Sequence, residues 1–344
     1  MKRLQLLAVV HFLWLSGCAY QRPESFVRAC AEAARATSAG RFAEAARAYD
    51  RAVSTTDRPL DRDEAVYRAG QAWRRSGDTV TALARFEWLA RNGDDATRRT
   101  RGELEAVRIY FDRGQWDRAE QVAIEVAARQ PSMGAGRRAI ELSLIEADSR
   151  DQSGIAAISL IDRAWLRLSR TELAAMLDIE RARRLVLQGQ PEQAVIALER
   201  SLRWRYPQNP RWDDGSWELS QLLLQLNRPD QALAVINRAL EPAESLALIP
   251  GSSVRPRFPQ LALERGRVLE TLGRLPEAAT AYRAMYNQFA HSTLRDDALE
   301  QEARVLRLLG ETARACTVDQ QLARDFSQTR RGRAASERMR SCSH

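Results

Sequence analysis

An alanine-centred motif recurs at nearly constant intervals along this 344-residue chain. In most copies a Gly or Asn precedes the alanine by five residues and a large side chain follows it by four, as with Gly40, Ala45 and Tyr49. The successive intervals between the alanines are 37, 37, 38, 37, 38, 46 and 37 residues. So regular a period indicates a repeat protein, in which each unit buries its apolar face by packing on its neighbours. The alanines are Ala45, Ala82, Ala119, Ala157, Ala194, Ala232, Ala278 and Ala315.

The composition favours helices within each unit. Ala, Leu, Arg, Glu and Gln dominate, and these side chains lose little rotamer freedom in a helix. The chain has 17 Gly and 12 Pro, too few for an all-β protein dense in turns. With 44% hydrophobic residues it can bury a sizeable core. The sequence therefore predicts an all-α protein.

Two copies of the motif carry a longer pattern of small and large residues. They are Val66, Ala69, Gly70, Trp73, Ala82, Phe86 and Leu89 in one copy, and Tyr110, Ala119, Ala123 and Pro131 in the next. This pattern resembles the tetratricopeptide repeat family, whose unit is two antiparallel helices, A and B. The resemblance covers residues 24–329 and implies a right-handed α-solenoid of about eight helix-turn-helix repeats. The chain departs from the family in its period, which is near 37 instead of about 34 residues, and in the weak copy around Ala157.

The resemblance also assigns roles within each repeat. Small residues are expected where helices A and B cross closely, and large residues between one repeat and the next. Gly or Asn is expected to take a left-handed conformation at the end of helix A. The 46-residue interval, with its Pro, Gly and Ser residues, predicts a long surface loop over residues 241–259. Residues 330–344 are expected to cap the last repeat.

The N-terminus has the pattern of an export signal. Lys2 and Arg3 form a basic start, and a mostly apolar run of about twelve residues follows, which is too short to cross a bilayer. The run ends in Leu15-Ser16-Gly17-Cys18, which resembles the bacterial lipobox. An ordinary signal peptide with a chance cysteine is the alternative.

The lipobox resemblance implies a lipid anchor. It implies that residues 1–17 are removed as a lipoprotein signal peptide, that Cys18 is diacylated, and that residues 18–23 form a tether. Two or more acyl chains hold a protein stably at a membrane without a spanning helix. Because Ala19 and not Asp follows the cysteine, the resemblance further implies anchoring to the outer membrane, on its periplasmic face.

Residues suited to catalysis or metal binding are scarce. The chain has three His, namely His11, His291 and His344, and it lacks C-x-x-C and H-E-x-x-H patterns. Lys2 is the single lysine of the chain, which excludes a P-loop. We therefore expect no catalytic site, no cofactor, no metal and no small-molecule substrate.

The charge pattern is that of a solvated surface. The net charge is +8, but the arginines are scattered among 45 Asp and Glu instead of forming one basic patch. We therefore expect no nucleic-acid partner. The acidic pairs Asp213-Asp214 and Asp296-Asp297 stand where helix A begins in two repeats, so they are expected to cap helices and not to catalyse.

The tetratricopeptide resemblance places partner contacts on helix A, which lines the inner wall in that family. Positions eleven and fifteen before each marker alanine lie one helical turn apart on one face. The wall is predicted to be basic and apolar together, so that Arg grips carboxylates and large side chains take apolar anchors of a peptide. Pairing of these arginines with neighbouring Glu is the alternative. The predicted contact residues are Tyr67, Leu104, Arg108, Ile179, Arg183, Trp217, Arg267 and Arg304.

A tryptophan cluster is a second candidate for binding. Trp204, Trp212 and Trp217 alternate with arginines between the fifth and sixth repeats. Aromatic rings beside guanidinium groups suit a glycan or a partner's loop. The alternative is that the indoles fill a widened junction between the two repeats.

The cysteines suggest one bridge. If Cys18 is acylated, three cysteines remain in an oxidising compartment. Cys316 lies in the last repeat and Cys342 lies just after the helical stretch 330–339 of the capping segment, so a disulfide between them would hold the cap in place. Cys30 is expected to be a small buried filler.

The ends of three repeats carry a finer resemblance. Arg205-Tyr206-Pro207, Tyr286 to Ser292 and Asp325 to Thr329 look like the repeat ends of periplasmic assembly lipoproteins of the BamD and CpoB (YbgF) type, with each aromatic expected to plug a gap between repeats. The resemblance implies a non-enzymatic scaffold that binds protein partners in the assembly or piloting of an envelope complex, as the pilotins PilF and TadD do. The alternative is a peptidoglycan-linked coordinator of cell-wall synthesis, or glycan binding through the tryptophans.

Overall fold

The computed structural model describes residues 21–131, 134–203, 209, 211–245, 256–340 and 342. The signal peptide, Cys18, half of the tether and Trp204 lie outside these residues, as do residues 246–255 of the predicted loop. Within them the chain forms seventeen helices and no strand. No helix in these ranges is both long and apolar enough to cross a membrane.

The helices follow one another with short connections. In chain order they are α1 Glu24–Ser38, α2 Phe42–Val53, α3 Pro59–Arg75, α4 Thr79–Asn92, α5 Ala96–Asp112, α6 Trp116–Arg129, α7 Ala135–Arg150, α8 Ile155–Leu168, α9 Ala174–Leu187, α10 Pro191–Ser201, α11 Trp212–Gln225, α12 Pro229–Ser245, α13 Phe258–Thr271, α14 Leu275–Gln288, α15 Arg295–Leu308, α16 Thr312–Asp325 and α17 Arg330–Met339.

The first sixteen helices form eight successive A/B pairs. Every marker alanine lies on the second helix of its pair, and all eight are fully buried. A side chain no larger than methyl lets two helices approach closely, which explains why alanine recurs at this position. The predicted all-α fold, a solenoid of about eight helix-turn-helix repeats, is confirmed.

A left-handed residue is common to the turns between the paired helices. A residue with positive φ stands in each of the eight, and seven of these are glycines, while the sixth has Asn227 at φ 58°. In the fifth repeat the amide of Gln190 donates to the carbonyl of Leu185 at 2.8 Å, and that of Gly189 donates to Val186 at 3.0 Å. These two bonds are the Schellman motif that ends a helix. The sequence expectation for this turn is therefore correct.

The fourth repeat ends its first helix differently. Its positive-φ residue, Gly154, precedes Ala157 by three residues instead of five. The carboxylate of Asp151 accepts hydrogen bonds from the amides of Ser153 and Ala156, each at 3.0 Å. An acidic side chain here caps the start of α8, which accounts for the weak motif around Ala157.

In two repeats, helices A and B pack closely because a glycine on helix A faces an aromatic ring on helix B. Gly70 on α3 faces Phe86 on α4, and a Cβ at Gly70 would lie 2.7 Å from the ring. Gly266 on α13 faces Tyr282 on α14 in the same way, at 2.3 Å. In both repeats the glycine stands twelve residues before the marker alanine and the aromatic residue four after it. The aromatic ring therefore occupies the space that a side chain larger than glycine would need.

The chain divides into two compact units. One runs to Gln130 and includes Gly134–Ser143, and the other takes up the chain from Leu144. The largest core of the second unit extends from Ile179 to Ala335 through α9–α17. In the first unit, Phe86, Val107, Ile109 and Val126 are central core residues. The division falls inside α7.

The C-terminal helix covers the last repeat. Arg331 of α17 lies 2.9 Å from Glu300 of α15, and Arg338 of α17 lies 2.7 Å from Asp319 of α16. Cys316 and Cys342 are joined by a disulfide, with Cα atoms 5.9 Å apart. The helix and the bridge together close the end of the solenoid.

Two predicted boundaries need correction. The loop predicted over residues 241–259 is shorter, because α12 continues to Ser245 and α13 begins at Phe258.

The predicted plug Tyr286 is buried, and its ring lies 6.4 Å from that of Phe326 in the next repeat.

Candidate partner-binding surface

The predicted contact residues lie on the first helices of their repeats. Arg108 is on α5, Arg183 on α9, Arg267 on α13 and Arg304 on α15, and each side chain is a third to a half exposed. The helical face predicted from the sequence therefore exists in both units. The charge of this helical face differs from the basic charge that the sequence predicts.

All four of these arginines are paired with carboxylates. Arg108 lies 3.0 Å from Glu105, and Arg267 lies 3.3 Å from both Glu264 and Asp297. Arg304 is paired with Glu270 of the preceding repeat. Because each positive charge has a negative neighbour, the predicted basic wall is wrong, and pairing with neighbouring acids is what the structure contains.

Arg183 shows this pairing most fully. Its Nε lies 3.0 and 3.1 Å from the two carboxylate oxygens of Glu218 on α11, and its Nη1 lies 2.6 Å from Glu180. Burial disfavours the charged guanidinium, but Glu218 and Glu180 together raise the pKa of Arg183 above its ordinary value. The guanidinium therefore links α9 to α11.

Similar pairs join other neighbouring first helices. Arg98 on α5 lies 3.1 Å from Glu64 on α3, and Arg184 on α9 is paired with Asp148 on α7. Partners in these pairs are 34 and 36 residues apart, close to one repeat. The arginines of this face therefore hold consecutive repeats together.

Acidic residues at the start of helix A also act across repeats. Asp63 of α3 accepts hydrogen bonds from the amides of Asp94 and Asp95, at 2.7 and 3.0 Å, just before α5. Asp213 of α11 accepts one from the amide of Arg257, at 3.0 Å, just before α13. Asp213 was expected to cap its own helix, but it binds the chain that enters the next first helix. Such bonds satisfy amides at the start of a helix.

Two of the predicted apolar contacts are partly enclosed. The Tyr67 ring lies 6.0 Å from that of Phe86, and its hydroxyl accepts a hydrogen bond from Gln71 at 2.9 Å. Burial raises the pKa of Tyr67. Leu104 packs against the core of the first unit. Each presents a portion of its side chain to solvent.

Ile179 does not belong to the surface. It is completely buried in the core of the second unit, whereas a partner contact was predicted. The residues around it on α9, from Ala174 to Asp178, are buried as well. The first turns of this helix are thus enclosed on every side. Ile179 stands fifteen residues before Ala194, at a position predicted to contact a partner, but in this repeat that position belongs to the core.

An apolar groove lies between α9 and α11. It contains the predicted residues Arg183 and Trp217 and has a volume of ≈ 320 Å³. Val186 and Leu187 on its α9 side are 41% and 74% exposed, which is high for such side chains. We call this site the α9–α11 groove; it is lined by Ala182, Arg183, Val186, Leu187, Leu198, Trp217, Glu218, Gln221, Leu222 and Gln225.

Exposed apolar side chains are concentrated in this part of the chain. Of the ten large hydrophobic residues that are exposed in the described ranges, six lie within the fourth and fifth repeats. The six are Ile145, Ile155, Leu166, Val186, Leu187 and Ile196.

One polar group of the groove lacks a partner. The Nε2 atom of Gln221 is shielded from solvent and makes no hydrogen bond to any described residue. A buried donor left unpaired costs about 1–3 kcal/mol. A ligand that offers an acceptor at this point would recover that energy.

Sequence reasoning missed Val186, Leu187 and Gln225 as binding residues, whereas Gln221 stands eleven residues before Ala232, at one of the predicted positions. Leu187 follows Arg183 by four residues, and Gln225 follows Gln221 by four. Residues four apart lie on the same helical face. Extending the predicted positions by one further helical turn along α9 and α11 would therefore have found the groove.

The tryptophans do not form one exposed platform. Trp212 is 2% exposed, with the Arg238 guanidinium 5.8 Å from its ring. Trp217 lies in the α9–α11 groove, with Arg257 at 5.9 Å. Trp204 lies outside the described residues. Because Trp212 is buried, the predicted glycan platform is wrong for this residue, and it fills space between repeats.

Two segments of the chain match the tetratricopeptide repeat. They are residues 179–247 and 247–293, which run from α9 to α14 and include the groove. A search of the curated proteins found no match.

Among solved structures the chain is similar to several helical-repeat proteins. PilF of Pseudomonas aeruginosa is 17% identical, with 70% of this chain and 97% of that one covered and a TM-score of 0.39. YrrB, described as a tetratricopeptide protein with an unusual peptide-binding site, is 17% identical, with 58% and 91% covered and a TM-score of 0.39. The tetratricopeptide domain of P58(IPK) is 16% identical, with 92% and 97% covered and a TM-score of 0.27.

Proposed function

We propose that this chain is a non-enzymatic docking scaffold that binds a partner polypeptide in the α9–α11 groove. The observation that carries the proposal is the exposure of Val186 and Leu187 beside Trp217, on the first helices of two neighbouring tetratricopeptide repeats. Tryptophan in a concave apolar site is a frequent centre of binding energy. Burial of these side chains by a partner would stabilise the complex.

We further propose that the scaffold is anchored by acylated Cys18 to the outer membrane and faces the periplasm. The support is the sequence Leu15-Ser16-Gly17-Cys18 after a basic and apolar leader. A disulfide between Cys316 and Cys342 suits an oxidising compartment. About six residues lead from Cys18 to α1, so at full extension the first repeat lies within roughly 20 Å of the lipid.

Metabolic labelling tests the anchor. Cells that express the chain with Cys18→Ser should incorporate no labelled palmitate into it and should release it from the membrane fraction. A matched Cys30→Ser variant should stay labelled and membrane-bound, because Cys30 lies in α1 and not in the lipobox. Unchanged labelling of Cys18→Ser would rule out the proposed anchor.

The proposed role is assembly or piloting of an envelope complex. Pull-down of the detergent-solubilised full chain from envelopes should recover a barrel or secretin subunit. Trp217→Ala should recover much less of it, whereas Trp165→Ala should recover as much as the unchanged chain. Trp165 serves as the control because it lies on α8, outside the groove, with Arg200 4.3 Å from its ring. Recovery of no envelope subunit would contradict this role.

A further inference from the structure

The charged groups at the edge of the α9–α11 groove neutralise one another. Arg183 lies between Glu218 and Glu180, and both carboxylates accept hydrogen bonds from its guanidinium. Glu218, in turn, is paired with Arg183. A carboxylate ligand would compete with Glu218 for Arg183, and a basic ligand would compete with Arg183 for Glu218. Either exchange contributes little to the binding free energy, because one ion pair replaces another.

The remaining surface of the groove is apolar or carries amides. Val186, Leu187 and Trp217 provide the apolar part. Gln221 holds its Nε2 atom shielded and unpaired within the site, and Gln225 stands one turn further along α11. An amide donor next to an apolar surface suits a main-chain carbonyl that lies beside a large apolar side chain.

We infer that the α9–α11 groove selects an uncharged polypeptide segment with a bulky apolar side chain, and that Gln221 donates a hydrogen bond to a main-chain carbonyl of this segment. The apolar side chain lies against Trp217, Val186 and Leu187. This inference rests on the proposed docking function. It replaces the acidic peptide that the arginine pattern of the sequence predicts.

Selection from a library of short random peptides tests the inference. The full chain in detergent micelles is the target, and peptides that also bind the Trp217→Ala chain are removed. We expect the retained peptides to be rich in Leu, Phe and Trp and poor in Asp and Glu. Enrichment of acidic residues would overturn the inference, and so would failure to retain any peptide.

A synthetic peptide of the selected consensus then gives the contributions of single residues. By fluorescence polarisation, Trp217→Ala should weaken binding about tenfold or more, and Gln221→Leu should weaken it severalfold. The matched control Trp165→Ala should bind normally, and circular dichroism should show each variant to be folded.

Salt dependence provides a separate criterion. Raising the NaCl concentration from about 0.1 to about 1 M shortens the Debye length from about 10 to about 3 Å. The affinity for an uncharged segment should change little over this range. A large loss of affinity in salt would overturn the inference in favour of a carboxylate grip.

These outcomes separate the inference from the proposed function. Acidic or salt-sensitive peptides that still require Trp217 would refute the selectivity and leave the docking function intact. Selection of apolar peptides without recovery of any envelope subunit would refute the envelope role and leave the selectivity intact.

Discussion

Arg183 and Glu218 stand one repeat apart and form an ion pair in which the arginine Nε lies 3.0 and 3.1 Å from the two carboxylate oxygens and Nη2 makes a further contact. The pair joins α9 to α11 at the edge of the α9–α11 groove. It therefore has two effects: it fixes the spacing of the two repeats and removes free charge from the site.

A double-mutant cycle on this pair measures its contribution to stability. Arg183→Gln and Glu218→Gln should each lower the free energy of unfolding slightly, and the double variant should lower it by less than the sum. Because both side chains are partly exposed, we expect a coupling energy of about 0.5–1 kcal/mol. Urea unfolding followed by circular dichroism provides the measurement, and strictly additive effects would contradict the pairing.

Gly266→Ala should destabilise the seventh repeat. The added Cβ would lie 2.3 Å from the ring of Tyr282, which is fully buried and cannot move aside. Overpacking of this kind costs about 1–3 kcal/mol. Thermal and urea unfolding should show the loss. If the clash with the Tyr282 ring causes the loss, Gly266→Ala should lower the free energy of unfolding much less in a chain that already carries Tyr282→Leu. An equal loss in both chains would contradict this cause.

Removal of the bridge between Cys316 and Cys342 should loosen the C-terminal helix. Replacement of both by Ser should lower stability by about 3 kcal/mol, the entropy expected for a loop of this length. Hydrogen exchange should quicken in α17, and Cys30→Ser should leave it unchanged. Unaltered protection of α17 together with two extra free thiols in the unchanged protein would contradict the bridge.

The hydrogen bond between Tyr286 and Asp325 should make stability depend on pH in the acid range. The Tyr286 hydroxyl lies 2.6 Å from Asp325, and this bond, with help from Arg324, holds the pKa of Asp325 below its ordinary value. A carboxyl with a lowered folded pKa stabilises the protein above its unfolded pKa of about 3.9. That stabilisation is lost as the pH falls through the lower, folded pKa.

Tyr286→Phe reports on this effect. Its stability deficit should be constant near neutral pH and should narrow below about pH 4 as Asp325 is protonated. Acid titration of the unfolding free energy gives the measurement. In a chain with Asp325→Asn, the same substitution should show a deficit that does not vary with pH. A deficit in the unchanged chain that grows as the pH falls would contradict the assigned bond.

The repeats could be predicted from the sequence because their signals are local. Gly189 and Ala194 stand five residues apart, and a turn with a left-handed residue followed by a close helix crossing requires that short spacing. The role of Ile179 could not be predicted in this way. Whether its side chain faces solvent or core depends on which helices cover α9, and those helices come from other parts of the chain.

The sequence by itself determined the all-α architecture, the eight helical hairpins and the conformation of their turns, since residues a few positions apart set helix crossings and helix ends. The tertiary structure decided the character of the candidate surface. Arg183 acquires Glu218 from 35 residues further along the chain, and Trp217 acquires Val186 and Leu187 as neighbours. Charge pairing and groove formation depend on side chains from different repeats, which meet only when the repeats stack.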